Sequence, residues 1–201
     1  MSITKKSFLL IFLILFVDQA IKIYIKLHFA LGDHVNVLNW FQIYFIENNG
    51  MAFGMELIGK LFLTLFRIIA VVALGYYIYI LIKKQFRSGY ILTISLVLAG
   101  AAGNIIDSVF YGLFFNDSNG QIATFLPEGG GYASLFHGKV VDMLYFPIIR
   151  NSVGETVFFS PVFNIADSAI CVAVVIILIF YRKELNDSLE SKKDSHVEPS
   201  L

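Results

Sequence analysis

The residues of this 201-residue chain that could do chemistry are acids and amides near the ends of apolar stretches. They are Asp107, Asp142, Asp167, Asn48, Asn104 and Asn164. Two carboxylates held close together cannot both ionise, so they share a proton. Such a pair offers a base that activates water and an acid that protonates a leaving amine. These residue types therefore predict amide hydrolysis without a metal ion, a cofactor or a covalent intermediate, provided that the fold brings two acids together.

Other hydrolase chemistries find little support in the sequence. It contains no H-E-x-x-H zinc motif and no G-x-S-x-G nucleophile elbow. The single cysteine, Cys171, lies in an apolar run and has no evident histidine partner at that depth. We therefore expect no metal site and no cofactor.

The elements that must position these acids are membrane helices. Hydrophobic residues make up 57% of the chain and charged residues only 15%, with a formal net charge of zero and a mean hydropathy of +0.74. A soluble domain carries about a quarter charged residues, so the composition predicts an all-α integral membrane protein. The neutral balance gives no reason to expect nucleic acid as a partner. Four stretches are long enough to cross the hydrocarbon core as helices, at about 7–27, 61–82, 90–110 and 163–181.

Basic residues predict the orientation of these four helices. They precede the first helix, fill the turn between the second and third, and follow the fourth. The residues are Lys5, Lys6, Lys83, Lys84, Arg87, Arg182, Lys183, Lys192 and Lys193. The positive-inside rule then places both termini in the cytoplasm and two long loops outside. The three acids and the three amides all fall at the outer face in this arrangement.

The two outer loops differ in character. The first contains alternating, aromatic-rich segments, Val35–Leu38 and Trp40–Phe45, which predict a small β-rich region. The second, between the third and fourth helices, is long and rich in glycine and polar turn residues. We predict a single membrane domain over 1–183 and a polar, disordered, cytoplasmic tail over 184–201.

The polar residues of the first and third helices also have a purely structural interpretation. Asp18 and Lys22 are spaced i,i+4 on one helix face and could form a buried, mutually neutralising ion pair. Asn104 and Asp107 could form a hydrogen-bonding patch between helices, next to small residues that allow close packing.

The acids of the last two segments are equally open to structural roles. Asn164, followed three residues later by Asp167, fits a capping box at the start of the fourth helix. Asp142 lies among apolar residues, where it either faces water in a loop or is desolvated with a raised pKa.

Five short motifs, in order, resemble the lipoprotein signal peptidase (signal peptidase II) family. The motifs are Asp18-Gln19-x-x-Lys22, Asn48-x-Gly50-x-Ala52-Phe53-Gly54, Gly103-Asn104-x-x-Asp107, Val140-Val141-Asp142 and Phe163-Asn164-x-Ala166-Asp167. Each motif alone is a weak signal. Together, over nearly the whole chain from about Phe8 to Tyr181, they are highly specific.

The resemblance implies a metal-independent aspartic endopeptidase of the bacterial cytoplasmic (inner) membrane, with Asp142 and Asp167 as the catalytic dyad. The positions that would bind substrate or support the dyad are Asp18, Lys22, Asn48, Gly103, Asn104, Asp107 and Asn164. The substrate would be a diacylglyceryl-modified prolipoprotein, cut immediately before its lipid-bearing cysteine. We expect a monomer surrounded by membrane lipid.

One departure from the family pattern concerns charge. The family's third motif normally continues with arginine, whereas Ser108 follows Asp107 in this sequence. We expect Arg67 or Lys139 to supply the missing positive charge. For Arg67, the alternative is that its side chain extends to the lipid headgroups.

A second departure concerns spacing. Asp142 follows Asp107 by 35 positions, which is longer than is usual in the family. We expect the extra segment, Leu113–Phe136, to lie outside the membrane as a lid, a partner contact or a neutral elaboration.

Two functions from other classes stay open on the residues alone. A small transporter could use Asp18, Lys22, Asn104 and Asp107 as a polar path, although the sequence has no inverted repeat or pair of broken helices. A non-catalytic assembly protein could use the same groups only to hold helices together.

Overall fold

The computed structural model describes residues 1–50, 59–150, 156–158 and 161–193. Five helices longer than one turn lie in these ranges: α1 Ile3–His28, α2 Lys60–Lys83, α3 Ser88–Ile106, α4 Ile165–Phe180 and α5 Arg182–Lys193. The strands are β1 His34–Leu38, β2 Phe41–Asn48, β3 Val140–Tyr145, β4 Ile149–Arg150 and β5 Thr156–Phe158. The residues Ala52-Phe53-Gly54 of the second motif lie outside the described part of the chain.

Three helical segments are long and apolar enough to cross a membrane: α1, α2, and α3 with its continuation to Phe114. The helices α4 and α5 qualify only as a pair, which is bent by 88°. The described residues therefore contain three candidate spans, or four if the bent pair counts as one. Large apolar side chains cover the outside of these helices, for example Phe8, Phe12 and Phe16 on α1. This surface is that of a multi-pass membrane protein.

Helix α3 lies at the centre and packs against α1, α2 and α4. Its small residues permit this, because a Cβ atom at Gly100 would collide with the carbonyl oxygen of Ala166 in α4. The α-helix ends at Ile106, short of the predicted residue 110, and continues as a π-helical turn, Asp107–Tyr111. A backbone carbonyl group of this turn is bound by the end of the long loop. The Gly138 amide donates to the Ser108 carbonyl oxygen at 2.9 Å.

The small sheet has the order β1-β2-β3, with both pairs antiparallel. Strands β1 and β2 confirm the prediction for the first outer loop. Strand β3 comes from the second long loop and was not predicted. Its residues Val140 to Met143 are all buried, so the strand lacks the apolar–polar alternation that marks a half-exposed strand.

The prediction of a disordered tail from residue 184 is wrong as far as Lys193, because these residues form helix α5. The helix folds back on the bundle. The Ser188 and Tyr77 hydroxyls lie 2.5 Å apart, and Glu184 forms an ion pair with Arg87 at 2.8 Å. Tertiary contacts thus stabilise a segment whose composition alone favours disorder. Residues 194–201 lie outside the described part of the chain.

Two hydrophobic cores lie at opposite ends of the bundle. One joins α2, α3 and α4 around the buried side chains Ile78, Leu81, Tyr90, Ile91, Ile94 and Ile177. The other joins α1, the sheet and the long loop through Ile25, Phe45, Tyr111, Phe115, Ala123, Val141 and Met143. The segment Leu113–Phe136 contributes Phe115 and Ala123 to this second core, so the segment is an integral part of the fold.

Candidate active site

The side chains of Asp142 and Asp167 both contact Asn164. The Asn164 side-chain amide donates to Asp142 Oδ1 at 2.6 Å, and the Asn164 backbone amide donates to Asp167 Oδ2 at 3.3 Å. The two acids come from β3 and α4, which are adjacent because Leu144 and Phe163 form a β-bridge. The structure therefore brings together the two acids that the resemblance names.

Asn104 connects this pair to helix α3. Its Nδ2 atom donates to Asp167 Oδ1 at 2.7 Å, and its Oδ1 atom accepts from Asn164 Nδ2 at 3.0 Å. Both carboxyl groups are thus held by amide donors. Two asparagines and two aspartates from three elements form one continuous hydrogen-bonded network.

The start of helix α4 explains why Asp167 is placed there. The Asn164 side chain accepts from the Asp167 backbone amide at 2.9 Å, which completes a capping box with the reciprocal bond described above. The capping interpretation from the sequence is therefore confirmed. It does not compete with a role in chemistry, because one oxygen of Asp167 caps the helix while the other binds Asn104.

Asp142 is buried, with 1% of its surface exposed, in a strand and not in a water-facing loop. Asn48, at the end of β2, donates to its Oδ2 atom at 3.3 Å. Burial away from water raises the pKa of Asp142 to about 7, and the negative charge of Asp167 adds to this rise. The hydrogen bonds from Asn48 and Asn164 oppose it. With a pKa of about 7, Asp142 is protonated in about half of the molecules at neutral pH.

A buried charge cluster lies beside this pair and is centred on Lys22. Its ammonium group binds Asp18 Oδ2 at 2.9 Å, Asp107 Oδ2 at 2.8 Å and Asn104 Oδ1 at 2.9 Å. All three ionised side chains are at most 1% exposed. The predicted ion pair is confirmed, and Asp107 belongs to it and has no direct contact with the two acids of the pair among the bonds described.

Asp18 and Asp107 also bind backbone groups of the segments that carry the pair. Asp18 Oδ1 accepts from the Ala166 amide in α4 at 2.9 Å, and Asp107 Oδ2 accepts from the Val141 amide in β3 at 3.2 Å. Gly103 makes room for this arrangement, because a Cβ atom there would lie 2.7 Å from Asp18 Oδ2. The cluster therefore aligns β3 and α4 from the side of α1.

Two residues of this network were not among the predicted site residues. Gln19 Nε2 donates to Asp18 at 3.1 Å and to Asp107 at 2.8 Å, and Tyr111 donates to Gln19 Oε1 at 3.0 Å. The sequence could have indicated a role for Gln19, because burying a side-chain amide in an apolar helix is costly unless the amide forms hydrogen bonds. It gave no such indication for Tyr111, because a tyrosine at the end of a membrane helix is common.

The two candidate substitutes for the family arginine lie in different surroundings. Lys139 forms an ion pair with Glu47 at 3.0 Å. Arg67 donates to the Gly50 carbonyl oxygen at 3.1 Å, and its charge interacts with that of Asp167. Ser108 itself is buried and donates to the Asn104 backbone oxygen at 2.9 Å.

In the ranges that the structure describes, no three histidine, cysteine or acidic side chains are grouped as a metal site. The fold and the network together define a class: a multi-pass membrane protein with two coupled carboxyl groups where a small sheet meets the helix bundle. Residues 10–182 match the family described as Signal peptidase (SPase) II. This chain belongs to the signal peptidase II family.

Individual relatives agree with this assignment. A lipoprotein signal peptidase of Porphyromonas gingivalis is 48% identical over 197 residues, which cover 92% of this chain and 86% of that protein. A lipoprotein signal peptidase of Amoebophilus asiaticus is 33% identical over 199 residues, which cover 92% of this chain and 80% of the relative.

Two solved structures share the fold, and both are described as bacterial membrane enzymes studied by the in meso method. The first has a TM-score of 0.61 and 26% identity, and the match covers 98% of this chain and 94% of its own. The second has a TM-score of 0.61 and 28% identity, and covers 87% of this chain and 91% of its own.

The charge cluster generates a stability prediction. Replacing Lys22 with Met leaves two buried carboxylates without a counterion, and we expect unfolding to become easier by about 3–5 kcal/mol. The double variant Lys22→Met/Asp107→Asn should recover part of this loss, because it removes one of the two stranded charges. Lys5→Met, at an exposed position of the same helix, is the control. The measurement is the denaturant-unfolding free energy in detergent, and equal losses in the single and double variants would contradict the assignment.

Proposed function

We propose that this chain is an aspartic endopeptidase that removes signal peptides from diacylglyceryl-modified prolipoproteins, cutting before the lipidated cysteine. The observation that carries the proposal is the pair Asp142 and Asp167, held by Asn164 and Asn104 with bonds of 2.6 to 3.3 Å. Family membership and the names of the curated relatives support the same activity. No metal takes part in the proposed reaction.

The proposed chemistry begins with Asp167 as the base and a protonated Asp142 as the acid. Asp167 takes a proton from a water molecule, which attacks the scissile carbonyl carbon. Asp142 transfers its proton to the carbonyl oxygen as the water attacks. When the C–N bond breaks, Asp167 gives the proton that it took from water to the leaving amine, and Asp142 regains its own from the new carboxyl group, so both groups return to their starting states. The raised pKa of Asp142 favours this division of roles at neutral pH. Because the two groups interact, the apparent ionisations belong to the pair.

The proposed setting is the bacterial inner membrane, crossed four times, with α4 as the fourth segment, the polar helix α5 on the cytoplasmic side and both termini in the cytoplasm. The pair then lies where the bundle meets the sheet, at the outer face. A diacylglyceryl anchor would keep the scissile bond of the substrate at this depth, since its acyl chains stay in the bilayer. Enzyme and substrate then need to meet only by diffusion in the plane of the membrane.

The two alternative functions are less consistent with the geometry. Asp18, Lys22, Asn104 and Asp107 are linked by hydrogen bonds and ion pairs, so a structural network accounts for each of them without a transport path. A purely structural role explains the capping box and the Lys22 cluster. It does not explain why Asp142, buried and with a raised pKa, shares Asn164 with Asp167 and interacts with its charge.

Asparagine substitutions separate these functions. Asp142→Asn and Asp167→Asn keep the shape and one of the two acceptor oxygens of each side chain. We expect inserted, folded protein whose cleavage of a lipidated prolipoprotein falls by at least about 10³-fold. Asp117→Asn, an exposed acid of the long loop, is the matched control with full activity. The assay runs with and without a chelator, and we expect no difference. Full activity in both site variants, or loss by chelation, would overturn the proposal.

The pKa of Asp142 predicts a pH dependence. Its value of about 7 lies above that of an exposed acid, so the proton is lost as pH rises through about 7 and cleavage falls by about tenfold per pH unit above that point. For the same reason, the contribution of the Asp142 carboxyl group to the free energy of unfolding is fully present below about pH 4 and is lost as pH rises through about 7.

Asn48 donates to Asp142 and lowers its pKa. The variant Asn48→Ala should therefore move the alkaline limb of the kcat/KM profile to higher pH. An unmoved limb in the kcat/KM profile would exclude Asp142 as its origin.

We assign the role of the missing family arginine to Arg67 in preference to Lys139. Arg67 binds Gly50, two residues after the Asn48 that touches Asp142, and its charge interacts with Asp167. The charge of Lys139 is paired with Glu47. We expect Arg67→Leu to lower kcat/KM by about tenfold or more, and Arg67→Lys to recover part of it, because a hydrogen bond from a charged group contributes about 1.5–3 kcal/mol. Lys139→Leu should have the smaller effect. Full activity and expression in both leucine variants would rule out either residue.

A further inference from the structure

The end of the third membrane segment and the long loop that follows it share an apolar surface that neither the fold nor the proposed chemistry uses. We call it the insertion patch, and it consists of Phe110, Leu113, Phe114, Phe125 and Leu126. Each of these side chains is between 37% and 61% exposed. The rings of Phe110 and Phe114 lie 5.8 Å apart, and those of Phe114 and Phe125 lie 5.9 Å apart. The patch is therefore one continuous surface.

The patch is continuous with the membrane-facing surface of the protein. Phe110, Leu113 and Phe114 belong to the apolar helical segment Ser88–Phe114, which has 27 residues. At 1.5 Å per residue this segment is about 40 Å long, whereas the hydrocarbon core is about 30 Å thick. Arg87 precedes the segment and marks one interface. The far end must then lie at the depth of the opposite headgroups.

The rest of the loop is fixed to this end of the helix. The Leu126 amide donates to the Phe114 oxygen at 2.7 Å, and the Tyr132 amide donates to the Phe115 oxygen at 2.9 Å. On the other side, Thr64 in α2 donates to the Phe136 oxygen at 3.1 Å. These bonds hold Phe125 and Leu126 beside Phe114 and favour a fixed platform over a swinging lid.

The charges of the loop favour an apolar mode of contact. The segment Leu113–Phe136 contains no lysine or arginine, and its two acids, Asp117 and Glu128, are exposed. Attraction to anionic headgroups is therefore excluded as the driving force. Aromatic side chains at headgroup depth are the usual anchors of membrane proteins at the interface.

We propose that the insertion patch is seated in the outer leaflet of the bilayer, where Phe114, Phe125 and Leu126 contact acyl chains just below the headgroups. The occupant of the patch is lipid. This changes the expectation that the segment lies wholly outside the membrane. Contact between the insertion patch and the bilayer would fix the depth of β3 relative to the membrane, because the loop leads directly into this strand, which carries Asp142.

Tryptophan fluorescence in vesicles tests the proposal without any activity assay. The single native tryptophan is removed by Trp40→Phe, and a reporter is placed in the patch by Phe125→Trp. The matched control is Asn119→Trp, at an exposed polar turn of the same loop. The protein is reconstituted in phosphatidylcholine vesicles whose acyl chains are brominated close to the headgroup. We expect strong quenching and a blue-shifted emission for the patch reporter and neither for the control.

Three results would overturn the proposal. The first is equal, weak quenching of both reporters. The second is an emission that depends on the protein-to-lipid ratio without quenching by brominated lipid, which would identify a second copy of this chain as the occupant. The third is quenching that requires anionic lipid, which an apolar patch without basic residues does not explain. None of these results bears on whether the protein cleaves prolipoproteins, so the two proposals are tested separately.

Discussion

The ammonium group of Lys22 has three hydrogens. Its three acceptors are Asp18 from α1, Asn104 from α3 and Asp107 from the π-helical turn that continues α3. Burying any of these charges alone would cost several kcal/mol, so the geometry is tolerated only when all partners are in place. Asp18 reaches further, to the Ala166 amide at the start of α4. One saturated cation thus determines how three helices approach each other, and the position of the carboxyl pair follows from it.

A second buried lysine performs a similar task for the sheet. Lys26, one turn after Lys22, binds Glu47 at 2.7 Å and Ser118 at 2.8 Å, and its ammonium group lies between aromatic rings. Glu47 precedes Asn48, which contacts Asp142, and Ser118 belongs to the long loop. Since an uncompensated lysine there would be costly, the ion pair ties β2 and the loop to α1. The site is held from both sides by buried cations that need their partners.

In the proposed mechanism, the same residues have both structural and chemical roles. Asp167 is both a helix cap and one of two coupled acids, and Asn164 is both the N-cap and the donor to Asp142. This is why single segments of the sequence favoured the structural interpretation while the combination favoured chemistry. A cap fixes the side chain to the backbone, so its carboxylate is held in place without additional residues. Such preorganisation is what general acid–base catalysis requires.

Composition and the length of the apolar stretches were sufficient to determine from sequence that the chain is built of membrane helices, because a lipid-facing helix must be apolar over about 20 residues. The ordered motifs also singled out Asp142 and Asp167, which the structure brings into one hydrogen-bonded network. Only the tertiary structure decided that Asp107 pairs with Lys22 and lies apart from the two acids, since the spacing along α3 does not reveal which neighbour lies opposite. Burial on both faces hid β3, and the contacts of Glu184 that order helix α5 come from residues distant in sequence. Local patterns specify elements, whereas partners separated by many residues depend on how those elements pack.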